Sequence, residues 1–213
     1  AIANQPHFDR LQADLEKAKK EGSTFKEVDA ERDNVLNILN ELVPVYKDLT
    51  AYDDSKAYMN DGGAKGKELA AKYVAAVEKF DAAYAKFNET LNKVNAEQSK
   101  KQIEKLKKDG KKGYAAAMES TLRLTELVDK LEKAPQKADK AAVEKELSEI
   151  EALLKSINND RGQVLADRYN SVVGDVRQVL ADPSDNNLNN MIEGFNGYID
   201  TYNSTTPDQF DAK

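Results

Sequence analysis

The sequence predicts an all-α protein: an elongated antiparallel bundle of long amphipathic helices. Three observations carry that expectation. Ala, Lys, Glu and Leu are plentiful, and all four favour helix by intrinsic propensity. Apolar residues recur at spacings of three and four, and no segment shows the two-residue alternation of a half-buried strand. Aromatics make up only 7% and Trp is absent, so the chain lacks the residues that strands draw on.

Each element follows from its own pattern. Pro6 suits a first helical turn, and Phe8, Leu11, Leu15 and Ala18 form one stripe up to a stop at Gly22. Thr24 and Glu27 have the spacing of a capping box. The next helix places Val28, Val35, Ile38, Leu42, Val45, Tyr46 and Leu49 near one face, with Pro44 predicting a kink or break. Residues 53–64 are turn-rich and predict a loop. Beyond them Leu69, Tyr73, Val77, Phe80, Tyr84, Phe87, Leu91 and Val94 follow spacings of 4, 4, 3, 4, 3, 4 and 3, a heptad-like seam on one helix. Ile103 and Leu106 extend it toward Asp109.

Gly110 and Gly113 mark a turn, after which Tyr114, Met118, Leu122, Thr125, Val128 and Leu131 define a helix that stops before Pro135. Asp139 is placed to cap the helix carrying Val143, Leu147, Ile150, Leu154 and Ile157. Asn158-Asn159-Asp160 loosens this helix without a clear end, and Val164 or Leu165, Tyr169, Val172, Val176 and Leu180 carry another stripe. Asp182-Pro183-Ser184-Asp185 is a break and restart, followed by Leu188, Met191, Ile192, Phe195, Tyr198, Ile199 and Tyr202. One helical domain is expected over 1–203, with 204–213 as a flexible polar tail.

Composition narrows the function. The net charge of −6 opposes a nucleic-acid partner, which needs an excess of cations to displace counterions from phosphate. Cys is absent, which removes disulfides, thiolate metal sites and thiol nucleophiles. A single histidine, His7, rules out a multi-histidine zinc site within the chain, and no Glu-x-x-His pair exists for a di-iron bundle. Setting Gly62 as the glycine of a calcium loop puts Ala57 and Met59 at the first and third ligand positions, so that match fails. Gly62 to Lys67 lacks phosphate-loop spacing. No catalytic residue, metal or cofactor is expected.

Two weaker patterns remain. Aromatic–Asn pairs suggest a groove or ligand site between helices, with Tyr84, Asn88, Tyr169, Asn170, Tyr198, Tyr202 and Asn203 as candidates. Core packing with flanking amides is the simpler reading of the same pairs. Lys100, Lys101, Lys105, Lys107, Lys108, Lys111 and Lys112 form a basic cluster suited to an anionic surface. They also suit the negative end of a helix dipole.

Leu42-Val43-Pro44, Tyr52, Tyr58, Asp61, Gly66-Lys67-Glu68-Leu69, the Phe80–Asn88 string, the Gly-Lys-Lys-Gly-Tyr turn and Tyr198–Asn203 together resemble the YiiG-like lipoproteins of bacteria. The resemblance implies an all-helical domain on the periplasmic side of the cell envelope, tethered by a lipid attached N-terminal to Ala1. It brings no enzymatic activity and no functional residues. The chain opens Ala1-Ile2-Ala3-Asn4 and reads as processed or trimmed. The expectation is therefore a non-catalytic binding or scaffolding module with an envelope protein partner. The alternative is a small-ligand carrier with a pocket between helices.

Overall fold

The computed structural model describes the backbone of residues 5–212 and the side chains of residues 8–212; the Ala1–Asn4 opening and the His7 side chain lie outside them. Among the described residues the chain forms nine α-helices, one 3-10 turn and no strand, an all-α protein of packed helices. It divides into two compact units, Ala1–Asn95 and Ala96–Lys213, where a single domain over 1–203 was expected.

In the first unit, helix α1 (Gln5–Glu21) stops at Gly22, whose φ of +72° is a conformation that glycine adopts without strain. Helix α2 (Lys26–Asp54) starts without the expected capping box. Phe25 holds the N-cap position, and the Ser23 hydroxyl accepts the Phe25 N–H at 3.0 Å. The helix thus begins one residue too late for Thr24 and Glu27 to reciprocate. Pro44 does not break α2. It sits on the exposed face, as does Asn40, whose carbonyl loses its helical donor where water can replace it.

The buried face of α2 is Val35, Leu36, Leu39, Leu42, Val43 and Tyr46, a stripe rotated from the predicted one; Val28, Ile38, Val45 and Leu49 are only half-buried. The expected loop contains one helical turn, α3 (Tyr58–Asp61), followed by Gly62 and Gly63 at positive φ. Helix α4 (Ala64–Lys108) then runs for 45 residues, roughly 67 Å at 1.5 Å per residue. Its seam packs with α1 and α2: Leu15, Val35, Leu36, Leu39 and Leu42 close on Phe80, Ala83 and Phe87. Phe8 meets Phe80 edge-on at 5.3 Å, and Phe80 stacks on Tyr84 at 5.4 Å.

The second unit holds the last turns of α4, α5 (Lys112–Lys133), a 3-10 turn (Pro135–Lys137), α6 (Lys140–Lys155), α7 (Asp160–Ala181), α8 (Asp185–Asn203) and α9 (Pro207–Phe210). Asp139 caps α6 as predicted, accepting the Ala141 and Ala142 N–H groups. The Asn158–Asp160 segment does end a helix: α6 closes at Ser156, and Asn159 caps α7 through the Arg161 and Gly162 N–H groups. On α5 the core face is Ala115, Ala116, Ala117, Ser120, Leu124, Leu127, Val128 and Leu131, so Met118, Leu122 and Thr125 fall on its flank. Leu124, Leu147, Ile150, Leu154, Leu165, Val172, Val176, Met191 and Tyr198 form the centre of the unit.

The tail is ordered rather than frayed. Pro207–Phe210 is helical, with a capping box between Thr206 and Gln209. Phe210 is 2% exposed in the same core. Asn159 Nδ2 donates to the carbonyls of Gln209, Phe210 and Ala212. Gly113 N–H donates to Asp211 at 2.7 Å, and a Cβ at Gly113 would lie 2.0 Å from the Phe210 carbonyl oxygen, so only glycine fits there.

Candidate functional site

The aromatic–Asn positions are shared between the two units. Tyr84 and Asn88 belong to the first unit, where Tyr84 lies half-buried in the aromatic seam between Phe80 and Phe87. The other five belong to the second unit, and the three tyrosines among them address three different neighbours. Tyr169 is buried and donates to the Leu147 carbonyl of α6 at 2.5 Å. Tyr198 is fully buried, with its hydroxyl 3.1 Å from Ser120 and 3.2 Å from Thr121 on α5. Tyr202 lies 6.1 Å from the Phe210 ring. Burial pushes all three phenols up from their ordinary value, so they remain protonated and serve as hydrogen-bonding core residues. Asn170 and Asn203 are exposed. The space beside Tyr169 and Asn170 is about 110 Å³, below the usual range for a small-molecule pocket.

The lysine cluster is partly spent on internal pairs. Lys100 reaches Glu126, Lys107 reaches Glu104 and Glu119, and Lys111 reaches Asp208 at 2.7 Å. Glu119 and Asp208 accordingly raise the ammonium groups of Lys107 and Lys111. Lys101, Lys105, Lys108 and Lys112 are exposed and hold no ion pair among the described residues. The first three follow a 4, 3 spacing along one face of α4.

The loop after α2 is a structural lock. Tyr52 donates to Asp61 Oδ1 at 2.6 Å, and the same carboxylate accepts the N–H groups of Gly63 and Lys65 at the start of α4. Tyr52 and these amides hold the Asp61 carboxyl below its ordinary range. A Cβ on Gly66 would meet the Tyr52 ring at 2.6 Å, so the glycine admits the ring. Tyr52, Asp61 and Gly66 therefore join in one local arrangement. Tyr58 and Met59 project from the same loop, exposed by 43% and 75%.

One cavity was not visible in the sequence. It lies where α5 ends and α6 begins, around the 3-10 turn, and measures about 460 Å³. Its lining includes the core residues Leu127, Leu131 and Val143 and the small residues Ala134, Ala138 and Ala142. Lys130, Lys133 and Lys137 complete its lining, all exposed and without an ion pair among the described residues. Asp139 also borders it, but its carboxylate is already engaged by the α6 amides. The only sequence signal for this corner was Pro135 followed by the Asp139 cap, which marks a turn and says nothing of the space beside it.

Among the described residues no three His, Cys, Asp or Glu side chains converge into a metal-binding group. No helix there is long and apolar enough to cross a membrane. A family model described as "Protein of unknown function (DUF3829)" matches residues 2–181. That span takes in α1 to α7. No curated protein and no solved structure matches the chain.

Proposed function

The chain belongs to the DUF3829 family of proteins of unknown function, and we propose that it serves as a non-catalytic binding module of the bacterial cell envelope. The observation that carries the binding role is the 460 Å³ corner cavity, whose lining includes the core residues Leu127, Leu131 and Val143. Its size falls in the range of ligand sites, and its lining combines an apolar interior with a few charged groups. The envelope location and the lipid tether rest on the resemblance to YiiG-like lipoproteins. The lysines left unpaired at positions 101, 105, 108 and 112 support a tethered domain, since a basic helix face is drawn to anionic headgroups.

Native mass spectrometry of the full-length gene product, released gently from its own membranes, tests the role. A reproducible added mass of a few hundred daltons supports a small ligand, and a protein adduct supports a scaffolding role with an envelope partner. A clean, unadorned protein mass overturns the binding reading. Metabolic labelling of the same gene product with an alkyne fatty acid tests the tether. Label in the membrane fraction supports it, and an unlabelled protein in the soluble fraction removes it.

A further inference from the structure

Resting on that reading, we infer that the corner cavity takes the alkyl chain of a single-chain amphiphile whose anionic head group, such as a carboxylate, pairs with Lys130, Lys133 and Lys137. The apolar part of the argument is geometric. Leu127, Leu131 and Val143 are each less than a tenth exposed, yet they reach the cavity. Ala134, Ala138 and Ala142 add methyl groups only to the lining, leaving width for a chain. A cavity lined this way gains by expelling water in favour of methylene groups.

The charge at the mouth selects the head group. Lysine stems extend an apolar wall while their ammonium groups stay in water. The three lysines of this corner are exposed and hold no ion pair among the described residues. The two nearby carboxylates have partners of their own. Asp139 accepts two amides of α6, and Glu146 is held by Arg123 at 2.7 Å. A negative head group therefore meets three lysines and one carboxylate, Asp139, whose Oδ1 is bonded to two amides of α6, so positive charge is in excess at the lining.

The test compares decanoate with 1-decanol by isothermal titration of the purified protein. Decanoate is expected to bind with one-to-one stoichiometry, at least about fivefold more tightly than decanol. The triple variant Lys130→Gln, Lys133→Gln, Lys137→Gln is expected to lose that advantage and to bind decanol as before. Ala142→Trp, at an exposed position in the first turn of α6, is expected to fill the cavity and abolish both. Should it unfold the protein by circular dichroism, Ala138→Leu replaces it. Equal affinity for both ligands, unmoved by the lysine changes, overturns the head-group assignment and leaves the binding module standing. Decanoate binding that survives the filled cavity overturns the site. No saturable binding by either ligand overturns the inference. If membranes also yield no adduct, the binding module falls with it.

Discussion

The two compact units bury their helices by different means. In the first, α1, α2 and α4 meet through aliphatic residues and an aromatic ladder, Phe8–Phe80–Tyr84–Phe87. Its one buried charge among the described residues, Arg32, is satisfied by Asp29 and Asp33 on its own helix and by the Ala18 carbonyl of α1. In the second, buried tyrosine hydroxyls bond from helix to helix, in addition to cross-helix polar pairs of the kind that Gln12–Asn40 and Lys86–Glu31 form in the first. Tyr169 reaches α6, Tyr198 reaches α5, and Asn159 holds the tail. Arg123 clamps Glu146 from α5 to α6, and Arg177 clamps Glu144 from α7 to α6. Oily contacts tolerate small shifts of register, whereas a buried hydroxyl or amide loses its partner if a helix slides. The corner cavity lies in the unit whose register is pinned, which is where a shaped binding site keeps its geometry.

The sharpest way to break this contrast is at the tail. Phe210→Ala removes a ring that is 2% exposed and stacked between Tyr114 and Tyr202. A loss of roughly 3–5 kcal/mol is expected in urea unfolding. A loss near zero would mean that the tail does not belong to the core. Asn159→Ala comes next. It removes the α7 cap and the amide that bonds Gln209, Phe210 and Ala212, with an expected cost of about 1–3 kcal/mol. Protease sensitivity near residue 206 should rise in the same variant.

A smaller effect separates the two kinds of tyrosine. Tyr198→Phe deletes a hydroxyl bonded to Ser120 and Thr121, both of which keep the Ala117 carbonyl as a partner. About 1 kcal/mol is expected. Tyr84→Phe, in the aromatic ladder, should change stability by only a few tenths, roughly the value for a group with no buried partner. Equal losses for the two substitutions would erase the distinction between the units.

The difference also explains what the sequence made legible. The α4 seam is readable because Leu69, Phe80, Phe87 and Val94 contrast strongly with their charged neighbours. The face of α5 was misread because Ala115–Ala117 carry little hydropathy contrast, and close packing rather than hydrophobicity selects them. The tail was misread because a polar composition hid one anchoring Phe and an Asn that bonds it from 51 residues away. The internal pairs of the lysine cluster were hidden for a similar reason. Lys111 finds Asp208 across 97 residues, a pairing that no local pattern contains. The aromatic–Asn motif identified core tyrosines correctly as stripe residues. The cavity is empty space bounded by a turn, and spacing along a chain does not encode it.

The smallest predicted effect concerns Asp175, between α7 and α8. Its Oδ2 lies 2.6 Å from where a Gly194 Cβ would be, and burial alone raises its carboxyl above the ordinary value. A raised folded pKa means that the folded state holds the proton more tightly than the unfolded chain does. Stability is then lost as pH climbs from the unfolded value, near 3.8, through the folded one, and stays lost at neutral pH. Asp175→Asn keeps the shape and removes the charge, so it should stabilise the second unit at pH 7 by less than about 1 kcal/mol. The gain should fade as pH falls through the unfolded value, near 3.8, because the carboxyl is then protonated in both states. Urea midpoints at pH 7 and pH 3.5 decide the matter. A gain equal at both pH values would point to a packing effect of the amide, and a loss at pH 7 would mean that the carboxylate has a favourable partner in solution.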